Sequence, residues 1–318
     1  MRLLFAVHRY YPFPGGSEYY VQAMAEEAVK RGNTVAVFAG EHQGDQNGVR
    51  VSNEPNILGE QWDLIIVHGG DVYLQNFVLQ NASRIPNPIL YMLILPSNSD
   101  ITVQALNDCQ YIGWSTPFDI AHIRKYNQTL KARQVRHGIK NLESIGKPGF
   151  KERYGITKRM FLSCGGYWPN KQMRELADVF TRANLDDAVL VTTGYDNRMD
   201  LMPAASDRVI PLMLENKQDV FDAILEAECY LMHSSTEGFG LVLLESMLNG
   251  TPWISRHMAG AAMLAQFGRT YNDDNQLINL LRDFNRDDFD LVTAKQYIID
   301  NHTIRSTVDD IEAVVLGK

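Results

Sequence analysis

Apolar runs rich in β-branched and aromatic residues recur along the chain, each closed by a turn signal and followed by a stretch with helical spacing. LLFAV at 3–7 leads through a Pro/Gly loop into EYYVQAMAEEAVKR at 18–31, where Val21, Met24 and Ala28 share one helical face and Gly32 supplies the stop. TVAVFAG (34–40), DLIIVHG (63–69), PILYMLIL (88–95) and YIGWS (111–115) continue the series. Short continuous apolar runs of this kind suit strands buried on both faces. The alternation restarts with MFLSCGG (160–166), a helix over about 170–184, AVLVTTG (188–194) and RVIPL (208–212). ECYLMHSS (228–235), a helix opening near Gly240 and TPWIS (251–255) complete it.

Strands alternating with helices predict an α/β architecture of doubly wound parallel sheets with helices on both sides, here two in series. The join is expected in GIKNLESIGKPGF (138–150), rich in Gly, Pro and polar residues. This gives one domain over 1–142 and a second over 143–302. LVTAKQYIID and STVDDIEAVVL have helical spacing, and the last helix, about 303–318, is placed to pack back on the first domain.

Length and composition agree with this division. The 318 residues, 45% hydrophobic and 21% charged, suit two ordinary globular domains, each large enough for its own core. MRLLFAVHRYY has too few consecutive apolar residues for a signal-peptide core or a membrane span, so it reads as a buried strand in a cytoplasmic protein. Cys109, Cys164 and Cys229 are far apart and odd in number, so neither a disulfide framework nor a zinc site is expected. The net charge of -8 argues against general nucleic-acid binding. It is unevenly spread: residues 1–140 hold 12 basic and 12 acidic side chains, and residues 141–318 hold 18 and 26.

Ligands bind open parallel sheets at the carboxyl ends of the strands, which singles out three loops. In YYPFPGGSE (10–18), Gly15 and Gly16 permit close backbone approach, Ser17 is placed to cap the next helix, and the helix-start amides would welcome an anion. Glu18 opposes a phosphate there unless it points away. In GGYWPNKQMRE (165–175), Lys171 sits at the first helical turn and Arg174 is expected one turn further on the same face. In HSSTEGFGLVLLESMLNG (233–250), Glu237 stands at a strand mouth, a Gly-Phe-Gly turn follows, and Glu245 lies on the helix beyond. Two carboxylates flanking helix-start amides suit a ligand with hydroxyls at both ends and phosphate in the middle, the layout of a nucleotide sugar.

GGSE at 15–18, Lys171 after a glycine-bearing strand end, and EGFGLVLLE (237–245) followed by NGTPWIS resemble family 4 glycosyltransferases of the GT-B architecture. The resemblance implies two Rossmann-like domains facing across a cleft and retaining transfer of a hexose-type sugar from a nucleotide-diphosphate donor. The acceptor it implies is a glycan or lipid-linked hydroxyl, and it implies no cofactor and no bound metal. It implies that Glu237 binds donor-sugar hydroxyls, that Glu245 binds the ribose, and that Lys171 neutralises the leaving diphosphate, with Glu237 and Lys171 as the catalytic pair. The amides of Phe239, Gly240 and Leu241 are expected near the sugar and diphosphate, and Gly15, Gly16, Gly166, Arg174, Gly194, Ser234 and Gly238 complete the donor site.

Departures accompany the match. The family's phosphate-binding arginine falls at Gly166, with Arg174 as the stand-in. The histidine usually offered by the first domain falls at Pro96-Ser97, although His8 and His68 follow other strands. The proline before the donor-loop serine is His233, and AGAAML (259–264) stands where the family tends to place Gly-Gly and then a glutamate. These leave open a catalytically silent donor-binding subunit, or another GT-B activity such as an epimerase or a phosphorylase. Residues 120–140 carry Arg124, Lys125, Lys131, Arg133, Arg136 and Lys140 and no acid. Beside the solvated-face reading stands peripheral contact with an anionic inner membrane face.

Overall fold

The computed structural model describes residues 1–317 apart from Pro14, His42, 69–75, Leu79, 93–105, 125–130, Asn141, 195–198 and Glu215. Pro96-Ser97 and Lys125, singled out above, lie outside the described residues. The chain divides into one unit of Met1–Ile139 with His302–Lys318 and a second of Lys140–Asn301.

Among the described residues the first unit holds an eight-stranded sheet. Its strands are β1 (Arg2–Val7), β2 (Thr34–Ala39), β3 (Gly44–Gln46), β4 (Val49–Ser52), β5 (Leu64–His68), β6 (Ile89–Met92), β7 (Tyr111–Trp114) and β8 (Ala132–Gln134). They lie in the order β3-β4-β2-β1-β5-β6-β7-β8, parallel throughout except for the β3–β4 ribbon. The ribbon joins Gly44–Gln46 to Val49–Ser52, neither of which carries a long apolar run, which is why it escaped the sequence pattern. Leu4, Phe38, Trp62, Ile65, Ile89, Tyr91 and Ile112 form a core on one side of the sheet.

The second unit holds β9 (Arg159–Cys164), β10 (Ala188–Gly194), β11 (Val209–Met213), β12 (Cys229–Met232), β13 (Trp253–Arg256) and β14 (Arg269–Tyr271). They form an all-parallel sheet in the order β11-β10-β9-β12-β13-β14. Both sheets run outward in two directions from their first strand, the doubly wound arrangement of Rossmann-like folds. The second core is built from Phe161, Leu176, Phe180, Leu190, Leu231, Ile254, Leu277 and Leu281, the inward faces of strands and helices that the apolar spacing marks.

The last helix, Ile304–Val315, packs on the first, Gly16–Lys30, within the first unit. Arg31 pairs with Asp309 at 2.7 Å and Glu312 at 3.1 Å, and Arg136 with Asp310 at 2.7 Å. Beneath this seam Tyr20 lies between the rings of His68 and His137, at 5.5 and 5.2 Å, with its hydroxyl 3.0 Å from His137 Nδ1. His302 Nδ1 donates to the His137 carbonyl at 2.7 Å. Burial lowers His68 to about 4, and burial with His68 and His302 nearby lowers His137 to about 3, so both rings are neutral in the fold.

That burial links stability to pH. A histidine depressed below its unfolded value contributes fully above about pH 6.5, and the contribution is lost as pH falls toward the folded value. At pH 5 a ring moved from about 6.5 to about 4 has cost about 2 kcal/mol. The urea midpoint of the first unit is therefore expected to fall between pH 7 and pH 5, and to fall less in His68→Phe, which has no proton to gain. Parallel pH slopes for the two proteins would count against the neutral His68.

Candidate functional site

In the second unit β9 and β12 are neighbours, but the chain leaves β9 toward β10 on one side and leaves β12 toward β13 on the other. Loops from the two carboxyl ends therefore part company there, and an open α/β sheet presents its crevice at that place. Lys171 follows β9 and Glu237 follows β12.

After β9 the chain runs Gly165-Gly166-Tyr167-Trp168, makes a tight turn over Pro169–Lys171, passes Gln172 in the left-handed region (φ 52, ψ 44) and enters the helix Met173–Ala183. Gly165 has φ +147, and a Cβ there would come within 3.3 Å of Lys171 Cε, so a side chain at 165 would both strain the backbone and crowd the lysine stem. Lys171 Nζ pairs with Glu237 Oε1, and the Ser234 hydroxyl donates to the same oxygen at 2.7 Å. The two loops are also stitched through Asn170. Its carbonyl accepts from the Ser235 amide at 2.8 Å, and its side-chain amide donates to the Thr236 carbonyl at 3.1 Å.

The structure corrects one spacing argument. Lys171 and Arg174 do not share a helical face, because Lys171 belongs to the separate turn and Gln172 breaks the helical path between them. Arg174 is exposed and its Nε donates to the Met202 carbonyl at 3.2 Å. Gly166 is buried, its carbonyl accepting from the Trp168 amide at 2.8 Å. Gly194 ends β10 directly against the Tyr167 ring, whose hydroxyl donates to the Leu212 carbonyl at 3.1 Å.

Glu245 lies on the helix Leu241–Leu248, whose residues from Leu243 to Leu248 are buried. A carboxylate in so apolar a helix needs a counter-charge. Lys217 provides it, with Nζ 2.9 Å from Glu245 Oε1 and 3.1 Å from Oε2. Lys217 opens the helix Lys217–Glu226 behind Asn216, whose side chain caps the Asp219 amide at 2.9 Å. Sequence reading passed over Lys217. The signal was a cation at the first helical position behind an Asn cap, where the helix dipole disfavours positive charge.

Gly240 has φ 85 and ψ 58 at the N-cap, the left-handed geometry that lets β12's loop turn sharply into the helix. No side chain caps that helix start. Phe239 is 4% exposed, so its ring belongs to the core and only its backbone is a candidate ligand group. Gly238 and Leu241 on either side are half-buried.

His233, in place of the family proline, heads a network that the sequence did not reveal. Arg256 at the end of β13 donates from Nη2 to His233 Nε2 at 2.9 Å and from Nη1 to Gln172 Oε1 at 2.7 Å. A guanidinium only donates, so Nε2 is the acceptor and the proton sits on Nδ1, 2.6 Å from the Tyr271 hydroxyl. The Tyr271 hydroxyl in turn donates to the Met232 carbonyl at 3.2 Å. Burial, reinforced by Arg256, lowers His233 to about 4, consistent with this neutral form.

In the first unit Gly15 is the extended N-cap of Gly16–Lys30, and Gly16 is exposed. Ser17 does not cap: the cap is Gly15, and no side chain bonds the end amides. Glu18 folds back over Gly15, where a Cβ would collide with its carboxylate. His68 is buried at the end of β5, while His8 is half-buried with Nε2 3.9 Å from Glu41.

Residues 158–283, which include every candidate from Gly166 to Glu245, match the family described as glycosyl transferases group 1. The fold is that of solved GT-B glycosyltransferases. The sucrose-phosphate synthase of Thermosynechococcus elongatus superposes with a TM-score of 0.82 at 15% identity, covering 99% of this chain and 98% of that one. HepE of Anabaena in complex with UDP-glucose gives 0.79 at 15% identity, with all of both chains covered. WaaG, a glycosyltransferase involved in lipopolysaccharide biosynthesis, gives 0.68 at 18% identity, covering 99% of this chain and 100% of that one. No curated protein matches the chain. The chain thus has the GT-B fold with a glycosyl transferases group 1 segment in its second unit. The resemblance to family 4 glycosyltransferases, seen in EGFGLVLLE, is borne out.

Proposed function

We propose that the protein is a retaining glycosyltransferase that moves a hexose-type sugar from a nucleotide-diphosphate donor to a hydroxyl of a glycan or lipid-linked acceptor. One observation carries the reading: at the switch point of the second sheet, each glutamate of EGFGLVLLE is held by a lysine from a different element, Glu237 by Lys171 and Glu245 by Lys217. In this mechanism Glu237, fixed by Ser234 and Lys171, accepts hydrogen bonds from the donor-sugar hydroxyls. Lys171, with the uncapped amides at Gly240 and Leu241, meets the charge that grows on the departing diphosphate as the sugar becomes oxocarbenium-like. The protein's own cations and amides carry that charge, and no metal is given a role. With no carboxylate assigned as nucleophile, the acceptor attacks from the leaving-group face, and a diphosphate oxygen takes its proton. Glu245 accepts from the ribose hydroxyls.

Among the described residues no helix is long and apolar enough to cross a membrane. We place the protein in the cytoplasm, with peripheral access to the membrane through the exposed Arg124 and Lys131. Arg136 and Lys140 of the same segment are engaged with Asp310 and Glu143. A silent donor-binding subunit is the second reading, favoured by Gly166 where the family has an arginine.

A thermal-shift screen of nucleoside diphosphates and their sugars selects the donor, because a ligand that binds the native state raises the midpoint. NMR of the product then gives the anomer. Retention is expected, inversion overturns the mechanism, and binding without transfer or hydrolysis establishes the silent subunit. Glu245→Gln is expected to remove most of the preference for UDP over its 2′-deoxy analogue while leaving sugar choice intact. Equal losses for both nucleotides in calorimetry would remove Glu245 from the ribose.

A further inference from the structure

We infer that Arg256 is a positioning residue of the donor site, a clamp that sets the Lys171 loop and the Glu237 loop against each other. The inference rests on the donor-binding reading above but starts from a separate observation. Arg256 comes from β13, a third element, and its two terminal nitrogens end on residues that each adjoin a functional side chain. Gln172 follows Lys171 directly, and His233 precedes Ser234, whose hydroxyl holds Glu237.

Each anchor needs support. Gln172 is a non-glycine residue in the left-handed region, a conformation that costs on the order of 1 kcal/mol and persists where surrounding contacts hold it. Its hydrogen bond to Arg256 is such a contact. His233 is 2% exposed, and Arg256 supplies the donor to a ring nitrogen that would otherwise be a buried acceptor without a partner. The other nitrogen is locked through Tyr271 to the carbonyl of Met232, the last residue of β12. Asp274, 3.9 Å from both Arg256 and His233, adds a weak counter-charge. Asn170, just before Lys171, ties the two loops directly and Arg256 ties them through Gln172, just after it, so the Lys171–Glu237 pair is braced twice. The planar fork of arginine spans two acceptors at once, which a lysine ammonium on a flexible stem does not reproduce. The histidine that departs from the family proline is thus one half of a device whose other half is Arg256.

The test compares wild type, Arg256→Met, Arg256→Lys and Lys171→Ala. In the free protein, hydrogen exchange at the Ser235 amide and across 170–173 and 233–237 is expected to rise in Arg256→Met, while amides of the first unit are unchanged. Unchanged exchange in both loops would overturn the clamp whether or not any nucleotide binds. UDP titrations by calorimetry supply the second readout. Arg256→Met is expected to weaken binding by roughly tenfold, since small displacements of a positioned group carry large penalties. Arg256→Lys is expected to rescue little, because charge without the fork leaves one loop unheld. Full rescue by lysine would make Arg256 a simple electrostatic contributor and sink the clamp. Arg256→Met and Gln172→Ala combined should lose less than the sum of the single losses, and strict additivity would also refute it. If Lys171→Ala binds UDP like wild type while exchange rises in Arg256→Met, the donor assignment fails and the clamp stands.

Discussion

Glu237→Ala is expected to lower the rate of sugar transfer by roughly 10²–10³-fold, the scale seen when one preorganised polar group at a reacting centre is lost. Two losses combine in that figure. The donor sugar loses an acceptor for its hydroxyls, and Lys171 loses the partner that fixes its ammonium. The Glu237 side chain is 13% exposed and that of Lys171 22%, so neither charge is fully solvated and each depends on the other. Glu237→Gln, which keeps an acceptor oxygen for Ser234 and the sugar but drops the charge, is expected to fall between wild type and alanine. Steady-state kinetics with the donor chosen by the thermal-shift screen is the measurement. An alanine variant within about threefold of wild-type kcat/KM would remove Glu237 from the mechanism.

The second large effect is on diphosphate affinity. Lys171→Ala is expected to weaken binding of the nucleoside diphosphate selected by the thermal-shift screen by ~1.5–3 kcal/mol, the range for a charge-assisted hydrogen bond, which is roughly 10–150-fold in Kd. The upper end is favoured because the substitution also leaves the half-buried Glu237 carboxylate without its counter-ion, facing an incoming anion. Salt provides an independent check. Affinity in the wild type should fall with ionic strength more steeply than in the variant, since one attractive charge has been removed and one repulsive charge uncovered. Equal affinities in calorimetry would end the assignment of Lys171 to the diphosphate.

Some of the candidate site is legible in the sequence alone. The turn around Gly240 could be read because its left-handed backbone needs glycine, and Glu237 because it lies between the end of an apolar strand and that glycine turn. Lys171 was marked by the glycine pair ahead of it, and Gly165 does admit the lysine stem. The shared helical face expected of Lys171 and Arg174 fails for a local reason. One unbroken helix would align the two side chains, and Gln172 in the left-handed region interrupts it. Ser17 was likewise given a capping role that Gly15 takes with its backbone alone. Lys217 and Arg256 were missed for a different reason: their partners are distant in sequence, so no window contains both members of either pair.

The amino-acid order alone determined the alternation of strand and helix, the two sheets of parallel strands apart from the β3–β4 ribbon, and the places where the chain must turn. Those follow from local periodicity and from backbone preferences that each short segment expresses by itself. Which charges meet was decided by the tertiary structure. The winding of the second sheet outward from β9 puts β12 beside it, and this adjacency brings Lys171 to Glu237. Lys217 reaches Glu245 and Arg256 reaches both Gln172 and His233 through contacts between separate elements of the same fold. Such pairings depend on which strands are neighbours, a property of the whole sheet that no single segment encodes.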